Sequence, residues 1–159
     1  MTSDTNTYLK SEDRRPEQSE DSTTLKSLRQ IFLECEATKE IWGYSRFYEP
    51  LFEPKRHHPI RLMEIGVEAG RSMKSWPQYF KNADHIFGIG YGSANGWQKN
   101  GDQDCGGMMV GHPGKCTLFK GDQGNIQFIK HILNVSGGQF DFIIDDASHL
   151  PSHQAKLFI

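Results

Sequence analysis

Residues 145–149 read Asp-Asp-Ala-Ser-His and follow directly on an apolar run. Two adjacent carboxylates repel each other and favour a cation beside them. Carboxylate oxygens suit a hard ion such as magnesium. His149 lies three residues past Asp146, and an imidazole near neutral pH can act as a general base. The same residue types also cap an ordinary helix start, because Asp and Ser accept hydrogen bonds from free backbone N–H groups. A second string, Glu64-Ile65-Gly66-Val67-Glu68-Ala69-Gly70, has the form E-x-G-x-x-x-G. Its glycines permit a tight turn and close backbone approach to a ligand. A helix opening there presents free N–H groups to an anion. Glu64 at the strand end offers a carboxylate to an ammonium or, through bridging groups, to a ribose. A purely structural turn has the same pattern. The string is not the dinucleotide pattern G-x-G-x-x-G, and Gly88-Ile89-Gly90-Tyr91-Gly92 fails that pattern as well, since the third glycine falls at Ser93.

These residues need elements to hold them. Residues 25–37 carry apolar side chains at helical spacing, at Leu25, Leu28, Ile31, Phe32 and Cys35. The aromatic-rich segment from Tyr44 to Phe52, ended by Pro54, predicts a short helix that packs on the sheet. Residues 60–66 predict a buried strand and a glycine turn. Residues 70–81 predict a helix that Pro77 kinks or shortens. Strands are expected at His85–Ile89, Cys116–Phe119 and Phe140–Ile144. Asn125 to Val135 predicts a helix with Ile126, Ile129, Ile132 and Leu133 on its inner face, and another helix is expected from Ser152. Apolar strands alternating with helices imply an α/β fold, a parallel sheet with helices on both faces. Ligands bind such sheets at the carboxyl ends of the strands. The polar tips after strands one, three and four therefore converge.

Composition narrows the classes. The chain has 159 residues, 36% of them hydrophobic, and a formal charge of −2. Residues 1–24 are almost free of large apolar side chains and read as a disordered polar tail, leaving 25–159 as the folded part. They form no secretory signal, and no run is long enough to span a membrane. Mixed charges without a basic stripe argue against nucleic acid as a partner. Three cysteines without a CxxC pattern suit a reducing, cytoplasmic compartment, with a Cys105–Cys116 bridge as the alternative. The glycine-rich loop of residues 91–115 holds Cys105 and His112, with Cys116 beyond it. Without a fourth ligand these do not make a closed zinc site.

Taken in order, YSRFYEPLFEP, IRLMEIGVEAGRSMKSWPQYF, HIFGI, KGDQGN and FDFIIDDASH resemble the class I S-adenosylmethionine-dependent methyltransferases. The similarity is nearest to the macrolide deoxysugar O-methyltransferases and the cephalosporin-hydroxylase-like proteins. It covers residues 40–159, and the Asp-Asp-x-Ser-His string is its most specific part. The resemblance implies a Rossmann-like sheet and an O-methyltransferase acting on a sugar or other alcohol hydroxyl. It implies S-adenosylmethionine held by Glu64, Gly66, Gly70, Asp122, Gln123 and Asp145. It also implies Asp146 as a magnesium ligand and His149 as the base that takes the acceptor's proton. Two departures stand out. The strand-two position that is usually acidic in class I enzymes, where it holds the ribose, is Gly90 here. The family also continues with a fifth strand that supplies further metal ligands, so the chain reads as truncated after its fourth strand. On that reading the chain by itself is expected to be poorly soluble, oligomeric or only partly folded. An inactive remnant or a cofactor-binding module is the alternative, with a small molecule as the only other partner expected.

Overall fold

A computed structural model describes residues 25–91 and 115–155. The polar tail of residues 1–24 and the zinc candidates Cys105 and His112 lie outside the described residues. Four strands, β1 (Arg61–Ile65), β2 (His85–Gly90), β3 (Cys116–Lys120) and β4 (Phe142–Asp145), pair in parallel in the order β3-β2-β1-β4. Leu62 stands opposite Ile86 on one side and Phe142 on the other, and Ile65 opposite Ile89 and Asp145. The chain thus has the α/β, Rossmann-like fold expected from its sequence.

The two-residue period of a strand divides the core. Leu62, Ile86 and Ile144 face one layer, formed by α1 (Leu28–Glu34), α2 (Ser45–Phe52) and α3 (Arg71–Tyr79). Met63, Ile65, Phe87 and Ile89 face the other, where α4 (Ile126–Ser136) brings Ile129 and Ile132. Each helix begins or ends for a local reason. Ser27 caps α1 in a reciprocal capping box with Gln30, which places the start after Leu25 and Lys26 and makes the helix shorter than its apolar spacing predicts. Asn125 caps α4 by accepting from the N–H groups of Gln127 and Phe128, and Gly137 ends it in the left-handed region. Leu133, expected inside, is 42% exposed. Helix α3 carries Pro77 and stops at Tyr79, two residues short of the predicted end. A last short helix, α5, runs Pro151–Gln154.

Gly88 lies where sheet and helix pack most closely. A β-carbon there would stand 2.5 Å from Leu118 Cδ2, 2.8 Å from Val67 Cγ2 and 3.1 Å from Met73 Cε. All three are side-chain ends that can shift only into a filled core. The Gly88→Ala variant is expected to lose about 1–3 kcal/mol of stability, the usual cost of overpacking. Urea unfolding monitored by circular dichroism measures it.

Candidate functional site

The strand tips and the segment before β1 enclose a cavity of about 1250 Å³. Gly66 sets its floor. At φ +101° it turns the chain out of β1, and its N–H and that of Val67 both donate to the Ile89 carbonyl at 2.9 Å. A β-carbon on Gly66 would lie 2.1 Å from the Asp146 carbonyl oxygen and 2.7 Å from Ala147 Cα. The glycine is thus required by contact between the tips of β1 and β4, where the Asp146 N–H donates to Ile65 at 2.8 Å. Gly70, at φ +75°, opens α3, and Gly70, Arg71 and Ser72 line the cavity.

Glu64 has no solvent exposure and is not among the cavity-lining residues. Its Oε1 accepts from Ser72 Oγ at 2.7 Å and pairs with Lys39 Nζ at 2.8 Å. Its Oε2 accepts from Trp76 Nε1 at 2.7 Å. It reaches the cavity only through Ser72 and Lys39, which do line it. Lys39, on a 3-10 turn at Thr38–Glu40, is itself 3% exposed. Its ammonium donates to Asp146 Oδ2 as well as to Glu64. Burial pulls the lysine's pKa down, but the two carboxylates outweigh it and leave it above the ordinary lysine value. Because the folded-state pKa is raised, this pairing stabilises the fold fully at pH below the ordinary lysine value and is lost as pH rises through the folded one.

Asp146 Oδ1 stands 4.0 Å from His149 Nε2. The His149 side chain is 70% exposed and its backbone takes φ +55°, an uncommon conformation for a residue with a side chain. Asp145 is half-buried, accepts from the Ala147 N–H at 3.4 Å, and does not line the cavity. On the far wall Asp122 and Gln123 follow β3. Asp122 Oδ1 accepts from the Gly124 N–H at 2.7 Å, fixing the turn. Gln123 is 7% exposed, and its Nε2 is buried with no hydrogen-bond partner among the described residues. Such an orphan donor is costly unless a ligand accepts from it. Tyr91 lies at the rim, 77% exposed, just after Gly90. No group of three or more His, Cys, Asp or Glu side chains placed to hold a metal occurs among the described residues.

The cavity therefore gathers Gly66, Gly70, Asp122, Gln123, Asp146 and His149 of the expected set, while Glu64 and Asp145 stand behind its surface. It also contains residues that sequence reasoning missed. Lys39 is 107 positions from Asp146 in sequence, and no periodicity links the two. His153, bonded through Nδ1 to Ser148 Oγ at 3.0 Å, also lines the cavity from α5.

Comparison with known proteins gives two relatives. The chain is 30% identical over 128 residues to an 8-demethyl-8-(2-methoxy-alpha-L-rhamnosyl)-tetracenomycin-C 3'-O-methyltransferase of Streptomyces olivaceus, across 74% of this chain and 29% of that protein. It is 25% identical over 124 residues to a mycinamicin VI 2''-O-methyltransferase of Micromonospora griseorubida, across 72% of this chain and 27% of the relative. The chain thus spans less than a third of the length of the curated relatives it matches. No family model matches it. The chain is related to sugar O-methyltransferases, in agreement with the resemblance drawn from its motifs.

Removing Lys39 leaves a fully buried Glu64 without its counter-charge. Lys39→Met is expected to cost about 3–5 kcal/mol, as breaking a buried pair does. Adding Glu64→Gln to that variant should recover part of the loss. Chemical denaturation of the single and double variants reads both effects.

Proposed function

We propose that this relative of sugar O-methyltransferases forms the cofactor-binding part of a class I S-adenosylmethionine-dependent enzyme that methylates a sugar hydroxyl. The observation that supports the reading best is the convergence, in one cavity, of the Gly66–Gly70 turn, the unpaired Gln123 amide and the Asp146–His149 pair. The relatives' names supply the reaction class and the sugar.

The residues divide the task. The free N–H groups at the start of α3, beside Gly70, receive the amino-acid carboxylate of the cofactor. Glu64 acts behind them, holding Ser72 and Lys39 in place. Gln123 Nε2 donates to the adenosine portion, and the Asp122 turn holds that glutamine in position. Bound S-adenosylmethionine supplies a methyl group on a sulfonium, so the transfer needs little beyond alignment of oxygen, carbon and sulfur. His149 accepts the proton of the acceptor hydroxyl on Nδ1, the ring nitrogen turned away from Asp146, and Asp146 Oδ1, 4.0 Å from Nε2, stabilises the resulting imidazolium by its charge. Asp145 steadies this tip through its bond to the Ala147 N–H.

Magnesium would rest on one protein carboxylate, since no group of three metal-ligating side chains occurs among the described residues. Lys39 occupies Asp146 Oδ2, and Oδ1 stands 4.0 Å from His149 Nε2. Magnesium keeps much of its water and often takes only one or two protein carboxylates. Asp146 would hold it, and the ion would polarise the acceptor hydroxyl.

A cofactor-binding module without catalysis is the second reading. Gly90, which offers the ribose no side chain, favours it.

Calorimetry separates the two. S-adenosylhomocysteine should bind with one-to-one stoichiometry and a nicotinamide dinucleotide should not. Absence of S-adenosylhomocysteine binding would sink both readings. If the enzyme reading is right, His149→Ala keeps the affinity and lowers methyl transfer about 10²–10⁴-fold. Transfer that is unaltered in His149→Ala removes the base role from that residue, and transfer absent already in the unsubstituted chain with an acceptor sugar supports the module. The missing ribose contact gives a further expectation. Gly90→Asp adds one charge-assisted hydrogen bond, of about 1.5–3 kcal/mol, and should tighten binding roughly ten- to a hundredfold.

A further inference from the structure

We propose that the turn from Thr38 to Tyr44 is the acceptor subsite, and that the indole of Trp42 is the platform on which the acceptor's sugar ring stacks. This rests on the methyltransferase reading and adds to it the wall that binds the second substrate.

Thr38, Lys39, Trp42 and Tyr44 line the same cavity as Asp146 and His149. The turn is held at both ends. The Tyr44 N–H donates to the Lys39 carbonyl at 3.0 Å and the Gly43 N–H to Glu40 at 2.9 Å, closing the loop around Trp42. Gly43 takes φ +65°, which lets the chain reverse there. The Lys39 side chain then ties the loop to Asp146 and Glu64. Trp42 is consequently fixed three residues from a side chain bonded to Asp146, the neighbour of His149.

Its exposure is what points to a ligand. Trp42 is 70% exposed, whereas Trp76 is wholly buried. Among the described residues Trp42 has no ring partner. A large indole on a cavity wall, anchored but uncovered, is the usual lining of a small-molecule site. A pyranose has faces made of C–H groups and an edge of hydroxyls. The ring faces pack on an aromatic plane, and the indole N–H remains free to donate to a hydroxyl. The walls assigned to the cofactor belong to the tips of β1 and β3. The acceptor hydroxyl must reach His149 from another side, and the Thr38–Tyr44 turn is the wall that remains among the described residues.

The test titrates methyl α-L-rhamnopyranoside into the chain saturated with S-adenosylhomocysteine, read by saturation-transfer NMR and calorimetry. Thermal unfolding serves as a control, because truncating an exposed side chain leaves stability almost unchanged in the usual case. Trp42→Ala is expected to weaken sugar binding roughly tenfold or more, equivalent to about 1.4 kcal/mol, and Trp42→Phe to retain most of it. S-adenosylhomocysteine affinity should stay within about twofold in both, since the stacking face serves the acceptor alone. Sugar binding that survives Trp42→Ala unchanged overturns the proposal. So does the absence of sugar binding to the cofactor-loaded chain. If S-adenosylhomocysteine itself does not bind, the methyltransferase reading fails and the acceptor subsite fails with it, an outcome distinct from both.

Discussion

A carboxylate with no exposure to water must be answered by other groups inside the protein, and Glu64 is such a group. Its partners come from two separate parts of the chain. Ser72 and Trp76 come from α3, and Lys39 comes from the turn before the sheet. Trp76, oriented by its bond to Glu64, then meets Phe32 of α1 and Phe52 of α2 edge-on, with ring centroids 5.2 and 5.9 Å apart. Lys39 passes the constraint to the tip of β4 through Asp146. One buried charge thus fixes the helical layer against the sheet and joins two strand tips that lie side by side. The close contact of Gly66 with the Asp146 backbone completes the same junction.

Local signals made the fold legible. Each of the four strands falls on an apolar run that sequence alone marks out, and α4 begins just after its cap Asn125, which ends the preceding turn. Boundaries were less legible where capping overrode apolar spacing, as Ser27 does for α1. The site was legible in part. The glycine pattern and the Asp-Asp-x-Ser-His string both fall at strand tips, because the chemistry of a parallel sheet concentrates there. What the glycine at 66 is for was not legible. The pattern suggests approach of a ligand, whereas the geometry shows approach of the Asp146 backbone. That contact joins residues 80 positions apart, and no one-dimensional period encodes it. Glu64 was marked as a strand-end carboxylate, but nothing in its neighbourhood announced Lys39, whose partners depend on the packing of the whole layer.

The same limits apply to exposure. A helical period placed Leu133 inside, yet the inner stripe of α4 runs through Ile129, Ile132 and Ser136 and leaves Leu133 toward solvent. β4 borders the described sheet and pairs with β1 alone, so its Ile143 is 57% exposed although the run reads as apolar on both faces. Apolar character in sequence reports which residues are able to be buried. Which of them are buried depends on neighbouring elements.

Under the proposed reaction, the charge balance of the floor has a consequence for catalysis. Glu64 and Asp146 carry two negative charges and Lys39 one positive, leaving a net of −1 behind the cavity. A sulfonium cofactor is cationic and its thioether product is neutral. Two uncompensated carboxylates would therefore favour the ground state over the transition state, in which the positive charge on sulfur is already fading. An interaction that weakens along the reaction coordinate raises the barrier by the amount lost. By cancelling one carboxylate, the Lys39 ammonium limits that penalty. It also leaves one oxygen of Asp146 to face His149, where positive charge grows as the acceptor proton is taken up. The remaining negative charge then stands where the imidazolium forms. A buried lysine in a pocket for a cation thus lowers attraction where charge is lost and preserves it where charge appears.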